Sequence, residues 1–417
     1  MELKKYRLRD IAEILISSID KKSKDGEPSV RLCNFVDVYR NWAITSNLSQ
    51  RFMVATANVS NIQRFSLKKG YVTFTKDSET RDDIGIPAYI ADDLGDTVLG
   101  YHCALVKPNA DILSGKYLNA FLHSDYIKKY FELNATGSGM RYTLSIETLN
   151  NIPILAPSLE MQEHIGNIFS DIDRKICLNR AINDNLEAMA RQLYDYWFVQ
   201  FDFPNKEGKP YKSSGGAMVW NEKLKREIPL EWSNGVLSDV ASITMGQSPD
   251  GSSYNEVGEG SIFYQGSTDF ELRFPAIRQY TTSPSRCANK GDILMSVRAP
   301  VGALNIANND CCIGRGLSAL SSKIGSMTHL YYLMNDFRLK FEGMNSAGTT
   351  FGSITKDELF NLPVVIPTKS VISEFEKVCK PIFNKQMVIG GEINALTKQR
   401  DELLPLLMSS QASVNSE

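Results

Sequence analysis

The sequence predicts a mixed α/β protein in which one unit, a globular domain followed by a long helix, occurs twice. Two observations support this plan. Short sequence patterns recur in the same order in both halves of the 417-residue chain. Each half also ends in a stretch of about 40 residues whose apolar side chains follow helical spacing. We therefore expect two globular domains, each followed by a long helix, with the two helices pairing as an antiparallel coiled coil.

The repeat begins near the start of each unit, where residues 8–14 match residues 237–243. In mid-unit, residues 69–72 match residues 290–293, and both segments pass from a glycine into a short apolar run that is typical of a strand. The offset between the copies falls along the chain, so the first copy carries extra residues in its middle. If both copies share one scaffold, we expect these differing middle segments to determine what each copy binds.

Late in each unit, residues 144–157 match residues 354–367 without a gap. Ser145 and Thr355 are predicted N-caps of a short helical turn. A short strand bounded by two prolines follows in each copy. Because proline cannot donate to a strand ladder, we expect this strand at a sheet edge or at the exit of the domain.

Each unit then changes to helical spacing. The first predicted helix has a slip near Asn179, and the second follows an alternating three–four spacing throughout. The predicted stripe of the first helix is Met161, Ile165, Phe169, Ile172, Ile176, Ile182, Leu186, Met189, Leu193 and Tyr196. That of the second is Ile372, Phe375, Cys379, Ile382, Gln386, Ile389, Ile393, Leu396, Arg400, Leu403 and Leu407.

Neither stripe can be buried by its own helix, so antiparallel pairing of the two helices is the simplest arrangement. It would hold the two globular domains a fixed distance apart. The alternative is that each stripe packs on its own domain. Gln386 and Arg400 interrupt the second stripe with polar side chains, and Pro381 is expected to kink or start the helix there.

Polar, glycine-rich and proline-rich residues separate the two units. The predicted boundaries place the first domain at residues 1–157, the first long helix at 158–200, a linker at 201–229, the second domain at 230–368 and the C-terminal helix at 369–410.

Composition excludes several classes of protein. The chain has no apolar run long enough to span a membrane and no N-terminal apolar segment typical of a signal peptide, so we expect a cytoplasmic protein without membrane association. Its seven cysteines form no C-x-x-C pair, and His102 beside Cys103 lacks further ligands at metal spacing. We therefore expect no disulfide framework, metal or cofactor.

Charge gives a mixed indication of nucleic-acid binding. The net charge is −2, which is not typical of a protein that binds nucleic acid by itself. Residues 273–340, however, contain nine Lys/Arg against three Asp/Glu. A local excess of this kind can neutralise phosphates, although charged runs more often form ordinary solvated surface.

Several phrases of the sequence resemble the specificity subunits of type I restriction–modification systems. The resemblance covers nearly the whole chain and depends on the order of the phrases together with the repeat. The phrases are residues 186–198, Ile228-Pro229-x-x-Trp232, 291–294, 296–302, 313–317 and 400–409. In the first unit, residues 83–85 and 100–103 resemble another subtype of recognition domain.

This resemblance implies a function and partners. Each globular domain would be a target-recognition domain that reads one half of a split sequence in double-stranded DNA, and the helices would set the spacer between the halves. Two methyltransferase (modification) subunits would dock on the helices and methylate adenine at N6. Restriction subunits would add ATP-driven translocation and cleavage.

The resemblance also implies that this chain is a non-catalytic subunit. The sequence has no Pro-Pro pair for the catalytic loop of an adenine methyltransferase and no phosphate-binding G-x-x-x-x-G-K-[ST] motif. Two alternatives stay open. One is a methyltransferase or nuclease with a fused recognition domain, and the other is a coiled-coil adapter without a DNA function.

Base edges are read by Arg, Gln, Asn, Ser and Thr, and phosphates are held by Lys and Arg. Side chains of these types in glycine-, serine- or proline-rich segments are the candidates for DNA contact. In the first unit they are Lys76, Ser78, Arg81, Arg141 and Tyr142. In the second they are Gln247, Ser248, Gln265, Ser267, Arg298, Arg315, Thr349 and Thr350. Arg298 and Arg315 belong to recurring family phrases, so their alternative role is to hold the scaffold.

Overall fold

The computed structural model describes residues 3–138, 141–346 and 352–408 and divides the chain into two units. Unit 1 comprises Met1–Leu178 and Asn394–Glu417, and unit 2 comprises Asn179–Ile393. Each of the two long helices contributes residues to both units. The predicted plan of two mixed α/β domains and two long helices is confirmed.

Unit 1 contains fourteen strands in the described residues. They are β1 (Lys4–Arg7), β2 (Ala12–Ile16), β3 (Ser29–Cys33), β4 (Ala43–Ile44), β5 (Met53–Thr56), β6 (Ser66–Leu67), β7 (Val72–Thr75), β8 (Asp77–Ser78), β9 (Pro87–Ile90), β10 (Leu94–Leu99), β11 (Cys103–Pro108), β12 (Thr136–Ser138), β13 (Arg141–Thr143) and β14 (Pro153–Ala156). Its helices are α1 (Leu8–Ile11), α2 (Phe35–Tyr39), α3 (Ser46–Ser49), α4 (Val59–Phe65), α5 (Gly115–Leu122), α6 (Asp125–Asn134), α7 (Ile146–Asn150) and the start of α8 (Leu159–Tyr194).

In unit 2 the strands are β15 (Met218–Asn221), β16 (Arg226–Pro229), β17 (Ser233–Val236), β18 (Ala241–Met245), β19 (Tyr254–Asn255), β20 (Ser261–Tyr264), β21 (Gln279–Thr281), β22 (Cys287–Ala288), β23 (Ile293–Ser296), β24 (Leu304–Ile306), β25 (Cys311–Ile313), β26 (Leu317–Ser322) and β27 (Pro363–Ile366). The helices are α9 (Leu237–Val240), α10 (Met327–Ser346), α11 (Lys356–Phe360) and α12 (Lys369–Met408), which ends in unit 1.

A five-stranded sheet forms the centre of unit 1, in the order β2-β11-β7-β9-β4, and a four-stranded sheet has the order β5-β3-β10-β6. All four residues of β7 are buried. Val72 and Phe74 belong to the core shared with α5 and α6, whereas Leu105 and Ile90 of the neighbouring strands belong to the core of the four-stranded sheet. The central sheet is therefore covered on both faces, which explains its continuous apolar strands.

Unit 2 repeats much of this plan. Its four-stranded sheet has the order β18-β26-β23-β24, and its five-stranded sheet has the order β19-β21-β20-β25-β22. The turn glycines that precede β7 and β23 have nearly the same backbone, with φ of +93° at Gly70 and +94° at Gly291. Side chains rarely adopt this conformation, so the predicted equivalence of residues 69–72 and 290–293 is confirmed by a shared conformational requirement.

The late pattern folds as predicted in both units. Ser145 Oγ accepts a hydrogen bond from the Thr148 N–H at 3.0 Å, and Thr355 Oγ1 accepts one from the Glu358 N–H at 3.3 Å. Glu358 in turn accepts from the Thr355 N–H at 2.8 Å, which completes a capping box. The strands that follow, β14 and β27, pair only with β1 and β17 in two-stranded sheets of the described structure.

The long helices pair antiparallel. In unit 1 the first part of α8, with Ile165 and Phe169, shares a core with Leu404 and Leu407 near the end of α12. In unit 2 the last part of α8 shares a core with Phe375 and other residues near the start of α12. A π-helical turn, Asp195–Val199, follows α8 directly.

The predicted stripe of α12 is confirmed, because every one of its members is buried or half-buried. Gln386 is fully buried, and Arg400 lies over the ring of Trp42, with its guanidinium carbon 5.2 Å from the ring centroid. The helix runs without interruption through Pro381 and does not begin there.

The prediction for the second half of α8 was partly wrong. Ile182, Met189 and Tyr196 are exposed, with 43%, 52% and 37% of their surface accessible. Asn183 and Ala190 are buried in their place. The buried side of this part of the helix carries a polar and a small residue, so apolar spacing alone selected the wrong face for these positions.

Residues 201–229, predicted as a linker, contain the hairpin of β15 and β16. Phe203 stacks on Tyr211 and on Trp232, with ring centroids 4.7 Å and 4.9 Å apart. Phe201 and Phe203 are buried. Aromatic side chains thus fix a segment whose composition is mostly polar.

Burial of His329 predicts a dependence of stability on pH. The centroid of its ring lies 4.5 Å from that of the Phe198 ring. Burial lowers the pKa of His329 to about 3. In the unfolded chain the histidine has a pKa near 6.5. Between about pH 3 and about pH 6.5 the unfolded state therefore binds more protons than the folded state. Stability is then fully present above about pH 6.5 and is lost as the pH falls towards 3.

Replacement of this histidine by leucine (His329→Leu) should remove that contribution. We expect the difference in unfolding free energy between the parent and the variant to change by about 2 kcal/mol between pH 7.5 and pH 5, measured by urea denaturation. An identical pH dependence in both proteins would contradict the prediction.

Candidate nucleic-acid interface

All five candidate residues of unit 1 lie in or beside one small sheet, in the order β12-β13-β8. Tyr142 of β13 pairs with Ser78 of β8, and the guanidinium carbon of Arg81 lies 5.0 Å from the centroid of the Tyr142 ring. Lys76 and Arg141 stand at the start of the same two strands. The fold therefore brings together residues that are more than 60 positions apart in the chain, as between Lys76 and Thr143.

The centre of this cluster is Asp77, a buried carboxylate that the sequence analysis missed. It accepts hydrogen bonds from Lys76 Nζ at 2.9 and 3.0 Å and from Arg141 Nη2 at 3.1 Å, and His102 Nδ1 lies 2.5 Å from Oδ2. Burial alone would raise the pKa of Asp77, but the hydrogen bonds from Thr143, His102 and Lys76 lower it to about 2.

His102 has a backbone conformation that is unusual for a residue other than glycine, with φ of +72°. The ring atom Nδ1 lies 2.5 Å from both Asp77 Oδ2 and Arg141 Nη2. In a neutral ring Nδ1 can donate to the carboxylate or accept from the guanidinium, but not both. Sequence patterns suggest for this histidine only a role as a metal ligand beside Cys103, which is buried.

In unit 2, three glycine-containing loops converge. A Cβ atom on Gly246 would lie 2.2 Å from the carbonyl oxygen of Gly314. One on Gly314 would lie 2.9 Å from Gln265 Oε1, and one on Gly316 would lie 2.8 Å from the Gln265 carbonyl oxygen. These approaches require glycine, and they place the loops around residues 246–248, 265–267 and 314–316 side by side.

The polar candidates of unit 2 bond to one another across these loops. Gln265 Nε2 donates to Ser248 Oγ at 3.1 Å, and the Arg315 N–H donates to the same oxygen at 3.3 Å. The Gln247 N–H donates to the Ile313 carbonyl at 3.0 Å. Because the side chains of Gln247, Gln265 and Arg315 are exposed, the loops present amide and guanidinium groups on one surface.

The remaining candidates lie nearby or outside the described residues. Ser267 begins the short 3₁₀ turn Ser267–Asp269 directly after the Gln265 loop. Arg298 is exposed and forms a strand-like bridge with Ser353. Thr349 and Thr350 lie outside the described residues.

The two clusters occupy the same place in the repeated fold. In unit 1 the Leu144 N–H donates to the Lys76 carbonyl at 2.8 Å, and in unit 2 the Ile354 N–H donates to the Val297 carbonyl at 2.9 Å. The Lys76 N–H donates to the His102 carbonyl at 2.9 Å. In unit 2 the Val297 N–H donates the matching hydrogen bond to the Gly316 carbonyl, also at 2.9 Å. Each cluster therefore surrounds the segment that leaves the matched strands β7 and β23.

Not all of the basic excess in residues 273–340 belongs to this surface. The side chain of Arg273 is 8% exposed and donates to Glu187 Oε2 at 2.8 Å. Its guanidinium carbon also lies 5.6 Å from the centroid of the Tyr331 ring. The expectation that this charge serves phosphate contact is wrong for Arg273, because packing inside unit 2 uses it.

Within residues 3–138, 141–346 and 352–408, no three His, Cys, Asp or Glu side chains are grouped as a metal site would require. No helix in those ranges combines the length and the apolar character needed to cross a bilayer.

Comparison with known proteins identifies related chains. The family model of the type I restriction modification DNA specificity domain matches residues 1–188 and 229–386. The putative type I restriction enzyme MjaX specificity subunit of Methanocaldococcus jannaschii is 28% identical, over 98% of this chain and 93% of that protein. The HindI specificity subunit of Haemophilus influenzae is 22% identical, over 98% and 99% respectively.

A crystal structure is also similar to this chain. The type I restriction–modification system S subunit from M. genitalium matches with a TM-score of 0.59 and 14% identity, over 100% of this chain and 97% of that one. At this level of identity the match shows a shared fold.

Proposed function

Since the chain belongs to the DNA specificity family of type I restriction–modification systems and is a non-catalytic specificity subunit, we propose that its two domains read the two halves of one split DNA target. Unit 1 reads one half through the cluster around β8 and β13. Unit 2 reads the other half through the three glycine-containing loops. The helices α8 and α12 set the spacer between the halves.

One observation carries this proposal. The two copies of the scaffold place different polar side chains at the same position, next to the strands β7 and β23. Unit 1 presents Arg81, Arg141 and Tyr142 there, and unit 2 presents Gln265, Arg298 and Arg315. A frame that is repeated in both units, with different donors and acceptors, is what two readers of different base sequences require.

The same proposal assigns partners. Two methyltransferase subunits dock on the helices and methylate adenine at N6 in the target, and restriction subunits add translocation and cleavage. The exposed apolar side chains Ile182, Met189 and Tyr196, which are spaced seven residues apart along α8 and its π-helical turn, support a docking role for that helix. The near-neutral charge of the chain also fits a protein whose partners hold much of the DNA backbone.

The proposal is tested by base-resolution mapping of adenine methylation in the source cell, with and without this gene. We expect loss of the gene to erase methylation at one split motif with a fixed spacer. Two identical maps, together with failure to co-purify a methyltransferase, would instead favour the adapter without a DNA function.

A substitution in unit 2 gives a quantitative prediction. Replacing Arg315 by alanine should weaken binding of the assembled methyltransferase to its target by about 10- to 100-fold, because a direct side-chain contact to a base contributes about 1–3 kcal/mol. Binding is measured by fluorescence anisotropy at fixed salt. Lys209→Ala, a change at an exposed side chain of the 201–229 segment, is the matched control and should leave affinity unchanged.

A further inference from the structure

Asp77 is a buried carboxylate that contacts three basic side chains. Its side chain is 7% exposed, and it lies between a lysine, an arginine and a histidine that come from three separate segments of unit 1. Lys76 is adjacent in sequence, His102 precedes β11, and Arg141 begins β13. The Arg141 contact joins β13 to β8, and the His102 contact joins the small sheet to the segment before β11.

The partners of Asp77 differ in exposure. Lys76 is 14% exposed, His102 is 32% exposed and Arg141 is 55% exposed. Lys76 neutralises the carboxylate from the inner side, with Nζ 2.9 and 3.0 Å from its two oxygens. Arg141 Nη2 donates to the carboxylate at 3.1 Å and also lies 2.5 Å from His102 Nδ1, while 55% of the Arg141 side chain is exposed. The arrangement orients a guanidinium that faces outward.

We propose that Asp77 is a positioning residue that holds Arg141 as the reader of a guanine in the target half recognised by unit 1. This inference rests on the proposed function and adds the base and the residues responsible. A guanidinium reads guanine through N–H groups directed at O6 and N7, so the direction of the N–H groups that Asp77 and His102 leave free decides whether Arg141 can discriminate. A buried carboxylate that accepts from one nitrogen fixes that orientation before DNA binds and removes the entropy cost of ordering the side chain.

His102 completes the arrangement from the other side. Its left-handed backbone places the ring within 2.5 Å of both the carboxylate and the guanidinium. Tyr101 packs against that ring, with centroids 3.7 Å apart, and is 46% exposed. The positions that match Tyr101 and His102 in unit 2 are Arg315 and Gly316, so each unit carries a polar or aromatic side chain immediately before its matched strand.

The test uses the full chain expressed with its methyltransferase subunits, and the readout is the adenine-methylation map. With Asp77→Asn, which keeps the shape and removes the charge, we expect one guanine of one half-target to become degenerate, with at least a tenfold rise in methylated sites that carry another base there. The other half of the motif should stay unchanged. Asp96→Asn is the matched control, since Asp96 pairs with Arg31 on the exposed surface of the same unit.

Arg141→Gln keeps the proposal testable if the Asp77 variant folds poorly, because Arg141 is largely exposed. It should relax the same base position, and the double variant should relax it no further than Arg141→Gln alone. A map for Arg141→Gln that equals the parent map would overturn the inference. So would relaxation at different positions in the two single variants. Failure of the proposed function would appear separately, as a parent map that does not change when the gene is deleted.

Discussion

Replacing Phe375 by alanine is expected to destabilise unit 2 by about 3–5 kcal/mol. Phe375 is fully buried near the start of α12. Its ring centroid lies 4.8 Å from that of Phe198 and 5.5 Å from that of Trp197, both of which follow α8. Removal of the ring leaves a cavity between two helices that come from different copies of the repeat.

Equilibrium unfolding in urea, followed by tryptophan fluorescence, measures this effect, because Trp197 and Trp232 lie in the same aromatic core. Val388→Ala on the same helix is the matched control. Val388 is 64% exposed, and its truncation should change the unfolding free energy by less than about 0.5 kcal/mol. Equal destabilisation by both variants would show that the aromatic core does not hold the two helices together.

Replacing Glu187 by leucine is expected to cost about 1–3 kcal/mol, because it leaves two buried donors without the carboxylate that accepts from them. Arg273 Nη2 and Gln386 Nε2 both donate to Glu187 Oε2, at 2.8 and 2.9 Å. Glu187 is 35% exposed, but Arg273 is 8% exposed and Gln386 is fully buried, so the loss of the carboxylate affects mainly these two donors. The same urea experiment measures the loss.

A double variant separates the charge effect from packing. Glu187→Leu combined with Arg273→Met removes both charges, so we expect it to be more stable than Glu187→Leu alone. Glu222→Leu is the matched control, because Glu222 and Lys225 form an ion pair with side chains 76% and 74% exposed, and its effect should be small. A double variant as unstable as the sum of the two single variants would contradict the explanation by unpaired charge.

The repeat and the helices could be predicted because they depend on local rules. Gly70 and Gly291 mark turns that need a positive φ, and Ser145 and Thr355 carry the oxygen that a helix N-terminus requires. The stripe of α12 follows from helical periodicity alone. In each case the sequence signal and the structural cause lie within a few residues of each other.

The errors arose where tertiary contacts decide. Asn183 is buried on α8 while Met189 is exposed, which reverses their ordinary preferences. Periodicity detects an apolar stripe, but it does not show whether that stripe faces this chain or an outside surface. Phe203 anchors a segment predicted as a linker because its stacking partners lie elsewhere in sequence.

The candidate interface shows the same division. Candidates were chosen by residue type in glycine-rich segments, and the structure gathers Lys76 with Arg141 and Gln265 with Arg315. Asp77 is not among the predicted residues, because a carboxylate is not a usual base reader, and His102 carries the pattern of a metal ligand more than that of a DNA contact. Their roles depend on pairing between β8 and β13, which single-sequence patterns do not reveal.

The pairing of β1 with β14, and of β17 with β27, has an evolutionary consequence. Lys4 lies opposite Ala156, and Ser233 lies opposite Ile366, so the chain enters and leaves each globular part at adjacent points. Such a part can be exchanged as a cassette between genes without altering the path of the flanking helices.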